Sequence, residues 1–480
     1  MTHARFAIPA REGVLQKEMV RRIIVGLLRL ALRVFFRRTE IAGLERVPEQ
    51  GAVIFVVNHP NGLVDPIFIL CHAPRRVSFL AKEPILRMPV IGWLARSLDA
   101  LPVYRQQDTG SDPARNRETF ARCRALLKRG GTIAICPEGV SHNAPSLRPL
   151  KTGTARIALG VVGEDPTLDL KIVPCGLYYT AKSVFRSAAL LYFGAPLKVE
   201  PVALEADGDP SRAAVRALSD RIEHALREVT LNAEHEQALS TVMRAEKIFS
   251  AESAEDEDAE TTLARELDLR RRFLAAYAFY FQHAPARLAE LEARIRRYEE
   301  ELREAGVDLE DLSAARVPAS QVIRYLIMRV LPTLLLAPLA IVGAIVHYPA
   351  YKLSQLIGLK IAQDQEDVFA TFKIAAALLF FPLTWLVLAA LCFWRLGWPF
   401  ALLALLVAPV SGFVAIRFFE ELDRFVGGAR AILFFFMRRR FFQRLLVERR
   451  KLRAEMIALG EEAARAGAHV MPPDPSRTTI

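Results

Sequence analysis

The stretch GAVIFVVNHPNGLVDP, residues 51–66, sets the reading of the first half of the chain. Residues 51–58 form a short, nearly continuous apolar run, the pattern of a strand buried on both faces. Polarity then switches abruptly, and His59, Pro60, Asn61 and Gly62 mark a loop at the strand's end. Working outward, residues 76–82 and 98–105 read as further strands. Residues 112–129 read as a helix, with Pro113 near its start and Gly130–Gly131 as its stop. Residues 132–136 form another buried strand, 153–162 a short helix, and 170–179 and 190–199 two more strands. This alternation predicts a layered α/β sheet whose functional groups sit where strands end in loops.

The flanking segments differ in character. Residues 20–38, VRRIIVGLLRLALRVFFRR, predict an apolar helix carrying Arg22, Arg29 and Arg33 at helical spacing, suited to the lipid headgroup layer or to packing on the domain core. From about residue 201 the chain turns charged. Residues 211–230 and 285–305 read as solvated amphipathic helices, and 250–260 is acidic. Residues 374–394 and 396–416 are each long enough to span a bilayer, and Gly397 and Pro399 beside Arg395 predict a hairpin. Residues 330–346 are a shorter apolar run broken by Pro332 and Pro338, expected to be re-entrant or to lie on the surface. Residues 430–453 mix aromatics with arginines and predict a basic interfacial helix. The expected organisation is an amphipathic surface helix over 1–44, an α/β domain over 45–204 and a charged helical region over 205–325. A membrane region over 326–425 and a basic helix with tail over 426–480 complete it.

Composition narrows the partners. A formal charge of +11 points to an anion, and 52% hydrophobic residues point to lipid. The arginines cluster beside apolar and aromatic runs and do not build a groove-reading helix, which disfavours nucleic acid. The five cysteines form no CxxC pair and have no His at metal spacing, so reduced thiols in an intracellular protein are expected, with no metal site. No secretory signal peptide is read at the N-terminus.

Two loops carry candidate chemistry. If the chain turns back at Gly62, Asp65 can accept a hydrogen bond from one ring nitrogen of His59, fixing the tautomer and raising the basicity of the other nitrogen. His59 would then take the proton of a substrate hydroxyl as it attacks a thioester, with no protein nucleophile required. The second loop, ICPEGVS at residues 135–141, again follows a buried strand. Its Glu138 is placed to contact acceptor hydroxyls, and Gly139 permits close backbone approach. Lys151, just before a predicted helix start, fits either an anion contact or a solvated lysine. Each segment alone also fits an ordinary turn.

Together, and in this order, NHPNGLVD (58–65), LPVYR (101–105), CPEGVS (136–141) and IVPCGLYY (172–179) resemble the glycerolipid acyltransferase family that includes lysophosphatidic acid acyltransferases. FLAKEP (79–84), LKTGTARI (150–157) and FGAPL (193–197) extend the resemblance over residues 45–200. It implies His59 as general base, Asp65 as its orienting partner, Lys82 and Arg105 as ligands of the acceptor's phosphate, and Glu138 and Gly139 as acceptor-binding residues. It also implies no metal or bound cofactor, an acyl-CoA or acyl carrier protein donor, and a glycerol 3-phosphate or 1-acylglycerol 3-phosphate acceptor. The expected setting is phospholipid synthesis at a membrane, with the active site facing the cytoplasm (the inner membrane if bacterial). Five residues separate His59 from Asp65 where the commonest family pattern has four. That spacing resembles a branch containing fungal glycerol-3-phosphate and dihydroxyacetone phosphate acyltransferases. His142 stands where the family often has Arg, and Cys136 where an aromatic is usual. Remodelling of larger lysophospholipids, and a non-catalytic lipid-binding role, are the alternatives.

Overall fold

The computed structural model describes residues 10–104, 115–234, 236–253, 262–306, 331–362 and 366–466, with residues 309 and 328. They group into two units, Met1–Leu231 with Ile361–Ile374, and Asn232–Lys360 with Ala375–Ile480.

The first unit is the expected α/β layer. After helix α1 (Ala10–Phe35) come strands β1 (Arg38–Ala42) and β2 (Ala52–Val57), helix α2 (Val64–His72) and strand β3 (Ser78–Lys82). Two short helices, α3 (Glu83–Arg87) and α4 (Pro89–Ser97), lead to β4 (Leu101–Val103), α5 (Asn116–Lys128), β5 (Thr132–Ile135) and α6 (Gly153–Glu164). Strands β6 (Leu170–Tyr179), β7 (Ala188–Phe193) and β8 (Leu197–Lys198) and helix α7 (Arg212–Val229) complete it. The strand order is β1-β7-β6-β2-β5-β3-β4, with β8 beside β6. The β6 pairings with β7 and β8 are antiparallel and the other pairings parallel, so β2, β3, β4, β5 and β6 all end at one edge. Every residue of β2 is buried, as its unbroken apolar run requires.

Three expectations shift within this unit. The strand read over 190–199 is two, β7 and β8, because Gly194 and Pro196 interrupt it. The helix read to residue 38 stops at Phe35, and Arg38–Ala42 joins the sheet edge beside β7. The α/β layer also runs past residue 204: a Cβ on Gly176 of β6 would lie 1.9 Å from the Val229 carbonyl oxygen, so α7 closes directly on the sheet.

α1 has two apolar faces. Ile24, Leu32 and Phe35 are buried, while Met19, Ile23, Leu27, Leu30 and Val34 form an exposed row on the other side. Arg22, Arg29 and Arg33 are exposed at the flank of that row. Arg29 also donates from Nε to the Cys71 carbonyl at the end of α2, 2.8 Å away, where the helix dipole favours a cation.

In the second unit the charged region is packed, not solvated. Helices α8 (Glu236–Ser253), α9 (Leu263–His283) and α10 (Pro285–Ala305) share a core with the C-terminal helix Arg439–Arg465. Leu288, Leu291, Ile295, Tyr298 and Leu302 of α10 recur at alternating spacings of three and four. Phe442, Leu445, Leu452, Met456, Leu459 and Ala463 follow the same rhythm on the C-terminal helix, with Arg449 buried at the remaining position. Ion pairs join this helix to α10. Arg444 pairs with Glu301, while Glu448, Glu455 and Glu462 of the same helix pair with Arg294 and Arg287 of α10. The apolar face of residues 439–453 is thus packed within the unit, while Arg440, Arg444, Arg450 and Lys451 are exposed.

Among the described residues, two helices are long and apolar enough to cross a membrane, Phe369–Leu396 and Trp398–Asp423, broken at Gly397 (φ 91°). They match the expected hairpin. Residues 331–346 begin a longer stretch: helix Leu331–Leu335 is followed by helix Ala337–Ala362, which continues past Val346.

Candidate active site

The buried strand β2 ends by delivering Asn58 to the sheet edge. Asn58 exchanges two hydrogen bonds with the Leu177 backbone of β6, donating from Nδ2 (3.0 Å) and accepting at Oδ1 (2.7 Å). Beyond it the chain reverses through Gly62 (φ 40°) and enters α2. This reversal brings together the two residues that the sequence singled out. His59 Nδ1 lies 2.9 Å from Asp65 Oδ2.

Asp65 is completely buried in the first turn of α2, where the helix dipole favours its charge. It accepts from three donors. The Asn61 amide (2.7 Å) and the His59 ring share Oδ2, and the Tyr179 hydroxyl donates to Oδ1 at 2.7 Å. Burial, reinforced by the Asp65 carboxylate, holds the Tyr179 pKa well above the usual tyrosine range, so its hydroxyl stays a donor. For His59, burial opposes the charged ring, but the Cys136 sulfur and the Asp65 carboxylate outweigh it and raise the pKa well above the usual histidine range. Burial also raises the Cys136 pKa.

Glu138 does not face the space beside His59. It is 3% exposed, and its carboxylate accepts from the His59 amide (2.9 Å), the Arg148 amide (2.9 Å) and His142 Nε2. His142 Nδ1 accepts from the Ala144 amide, which fixes the proton on Nε2, and the His142 amide donates to the His59 carbonyl at 3.2 Å. Glu138 thus ties the second loop to the first. Lys182 adds a further tie, donating to the Pro60 carbonyl (3.1 Å) and to Asn143 Oδ1. Gly139 (φ 74°) makes the turn after Cys136, and the Lys151 side chain lies across it: an added Cβ would fall 2.7 Å from Nζ.

Lys82 closes β3 at the same sheet edge as His59 and is exposed. Arg105 lies outside the described residues. Sequence reasoning missed Tyr179, His142 and Lys182 as site residues. The motif segments included Tyr179, but only the fold brings the end of β6 over Asp65. A groove of about 620 Å³ lined by Arg75, Arg76, Arg122 and Arg129 opens at the opposite, N-terminal ends of β3, β4 and β5, away from this dyad.

Residues 38–178 match the acyltransferase family model, and residues 254–464 match the model of the glycerol-3-phosphate acyltransferase 2 C-terminal domain. The chain is 27% identical to glycerol-3-phosphate O-acyltransferase 1 of Saccharomyces cerevisiae, over 80% of this chain and 63% of that one. It is 30% identical to glycerol-3-phosphate O-acyltransferase 2 of the same yeast, over 56% of this chain and 37% of the relative. A chloroplastic 1-acyl-sn-glycerol-3-phosphate acyltransferase of Brassica napus is 32% identical over 26% of this chain and 34% of its own length. Among solved structures, the 1-acyl-sn-glycerophosphate acyltransferase of Thermotoga maritima aligns with a TM-score of 0.34. Its identity is 20%, over 47% of this chain and 83% of that one.

Proposed function

We propose that this chain, whose residues 38–178 match the acyltransferase family model, transfers a fatty acyl group from acyl-CoA or acyl carrier protein to a hydroxyl of glycerol 3-phosphate. The observation that carries this reading is the His59–Asp65 pair at the sheet edge. With the Nδ1 proton held by Asp65, the lone pair of Nε2 is the base. It takes the proton of the acceptor hydroxyl as that oxygen attacks the thioester carbonyl. The tetrahedral intermediate then collapses, the carbon–sulfur bond breaks, and the departing thiolate recovers the proton from His59. No cofactor enters this sequence.

Lys82 and Arg105 are assigned to the acceptor's phosphate, an Arg fork being suited to bidentate contact. Glu138 is assigned to holding the His59 loop, and Gly139 to close approach of the acceptor. The yeast relative matched over 80% of the chain is a glycerol-3-phosphate acyltransferase by name, which favours that acceptor over 1-acylglycerol 3-phosphate. The apolar hairpin and the exposed row of α1 suit a membrane-bound enzyme, and the cytoplasmic side is where both water-soluble co-substrates are found.

The test is acyl transfer by purified full-length protein in detergent. Labelled acyl-CoA or acyl carrier protein would be offered with glycerol 3-phosphate, lysophosphatidic acid or lysophosphatidylcholine. Glycerol 3-phosphate should be the best acceptor, and His59→Ala should lower kcat by about 10²–10⁴-fold. Folded protein that transfers to none of the three would favour the lipid-binding alternative.

A further inference from the structure

The turn that brings Asp65 to His59 is nearly self-contained. Asn61 N donates to the Asp65 carboxylate, and Val64 N and Asp65 N return to the Asn61 carbonyl. The Leu63 amide is different. It stands at the N-cap of α2, where the first amides of a helix find no intrahelical carbonyl, and α2 has no side-chain cap of its own. Its acceptor is Thr371 Oγ1, 3.1 Å away and 308 residues further along the chain.

This contact is firmly seated. Thr371 is 8% exposed, its neighbour Ala370 is fully buried, and Ala370 and Ile374 pack in the same core as Val64 and Phe68 of α2. Residues 361–374 accordingly group with the α/β unit. Yet Thr371 is the third residue of the apolar stretch Phe369–Leu396. The helix that continues as a membrane span therefore begins by accepting from the N-cap amide of the helix that carries Asp65.

We propose that Thr371 is a positioning residue for the His59–Asp65 dyad, so that the first turn of the spanning helix is a working part of the active site. The inference rests on that dyad being the catalytic pair. Thr371 accepts from the amide of the N-cap residue Leu63 and so fixes the first helical turn, and with it the Asp65 carboxylate, relative to the His59 ring. Loss of the hydroxyl frees the Leu63 amide and loosens that turn without touching either substrate. The effect falls on kcat and on the His59 pKa, with KM unchanged.

The experiment uses the full chain in detergent, with Thr371→Val, Thr371→Ser and His59→Ala beside wild type. Thr371→Val should lower kcat about 10-fold, leave KM for both substrates within about twofold, and move the acid limb of kcat/KM to lower pH. Thr371→Ser, which keeps the oxygen, should restore both. Should the valine variant fail to fold, Thr371→Ala removes the same oxygen without a branched side chain and is judged by the same criteria. A Thr371→Val protein with wild-type kcat and acid limb, beside an inactive His59→Ala, overturns the inference and leaves the dyad standing. A His59→Ala protein of wild-type activity overturns the dyad and this inference with it.

Discussion

At the residue scale, the proposed chemistry depends on the charge of Asp65, which lies 2.9 Å from the His59 ring. The Cys136 sulfur and the Asp65 carboxylate together hold the His59 pKa above the usual histidine value of 6.5, against the burial that opposes it. In the proposed mechanism the base is the neutral ring, so the sign follows directly: kcat/KM falls as pH drops through that raised pKa. The acid limb should therefore have its midpoint above pH 6.5. Asp65→Asn keeps the shape but removes the charge, so one of the two groups that raise the His59 pKa is lost and the midpoint should move down by about one unit. The pH dependence of kcat/KM for the two proteins checks this, and identical acid limbs would assign the proton to another group. Glu138 shows how far residue type underdetermines role. A PEG loop displays a carboxylate in the sequence, but three donors from the surrounding loops enclose it.

At the scale of elements, helix Ala337–Ala362 has small and polar residues inside and large apolar ones outside. Ala340, His347, Ala350 and Ser354 are buried, whereas Ile341, Val342, Ile345, Leu353, Leu356 and Leu359 are exposed. That is the pattern of helices that pack by close backbone approach in lipid. His347 donates from Nδ1 to the Gly343 carbonyl (2.7 Å) and accepts at Nε2 from the Trp385 indole (2.8 Å), leaving neither ring nitrogen idle. A Cβ on Gly343 would lie 2.1 Å from the Ser411 carbonyl oxygen. Gly343→Val must push the helices apart, and it should cost about 1–3 kcal/mol. A thermal midpoint in detergent equal to that of wild type would show that the helices are not packed this closely.

At the scale of the whole molecule, attachment to the membrane is expected from the apolar hairpin, with the exposed row of α1 as a second contact. The full chain should remain with the membrane pellet after alkaline carbonate extraction, because a spanning hairpin does not depend on ionic contacts. Appearance of the intact chain in the carbonate supernatant would reduce the hairpin to a peripheral contact. The charged helices earlier in the chain contribute differently. Arg287 and Arg294 are committed to carboxylates of the C-terminal helix, so their charge is not offered to an anionic surface.

The sequence by itself determined the strands whose burial leaves no polar face, above all β2 and β6, and the two loops at their ends. A continuous apolar run ended by turn residues has few other solutions. It also located the hairpin, since some twenty apolar residues on either side of a glycine break carry their own length signal. The three-and-four spacing of Leu288–Leu302 and Phe442–Ala463 was present too, but masked by the charges between. Only the tertiary structure decided what depends on partners far along the chain. α2 has no side-chain cap of its own and its N-cap amide is held by Thr371, and β1 is a strand only because β7 lies beside it. Tyr179 joins the dyad because β6 ends over Asp65, and Glu138 is enclosed because its own loop and the His59 loop both supply its donors. Such pairings are fixed by the closing of the sheet and the docking of the spanning helix, and no local periodicity records them.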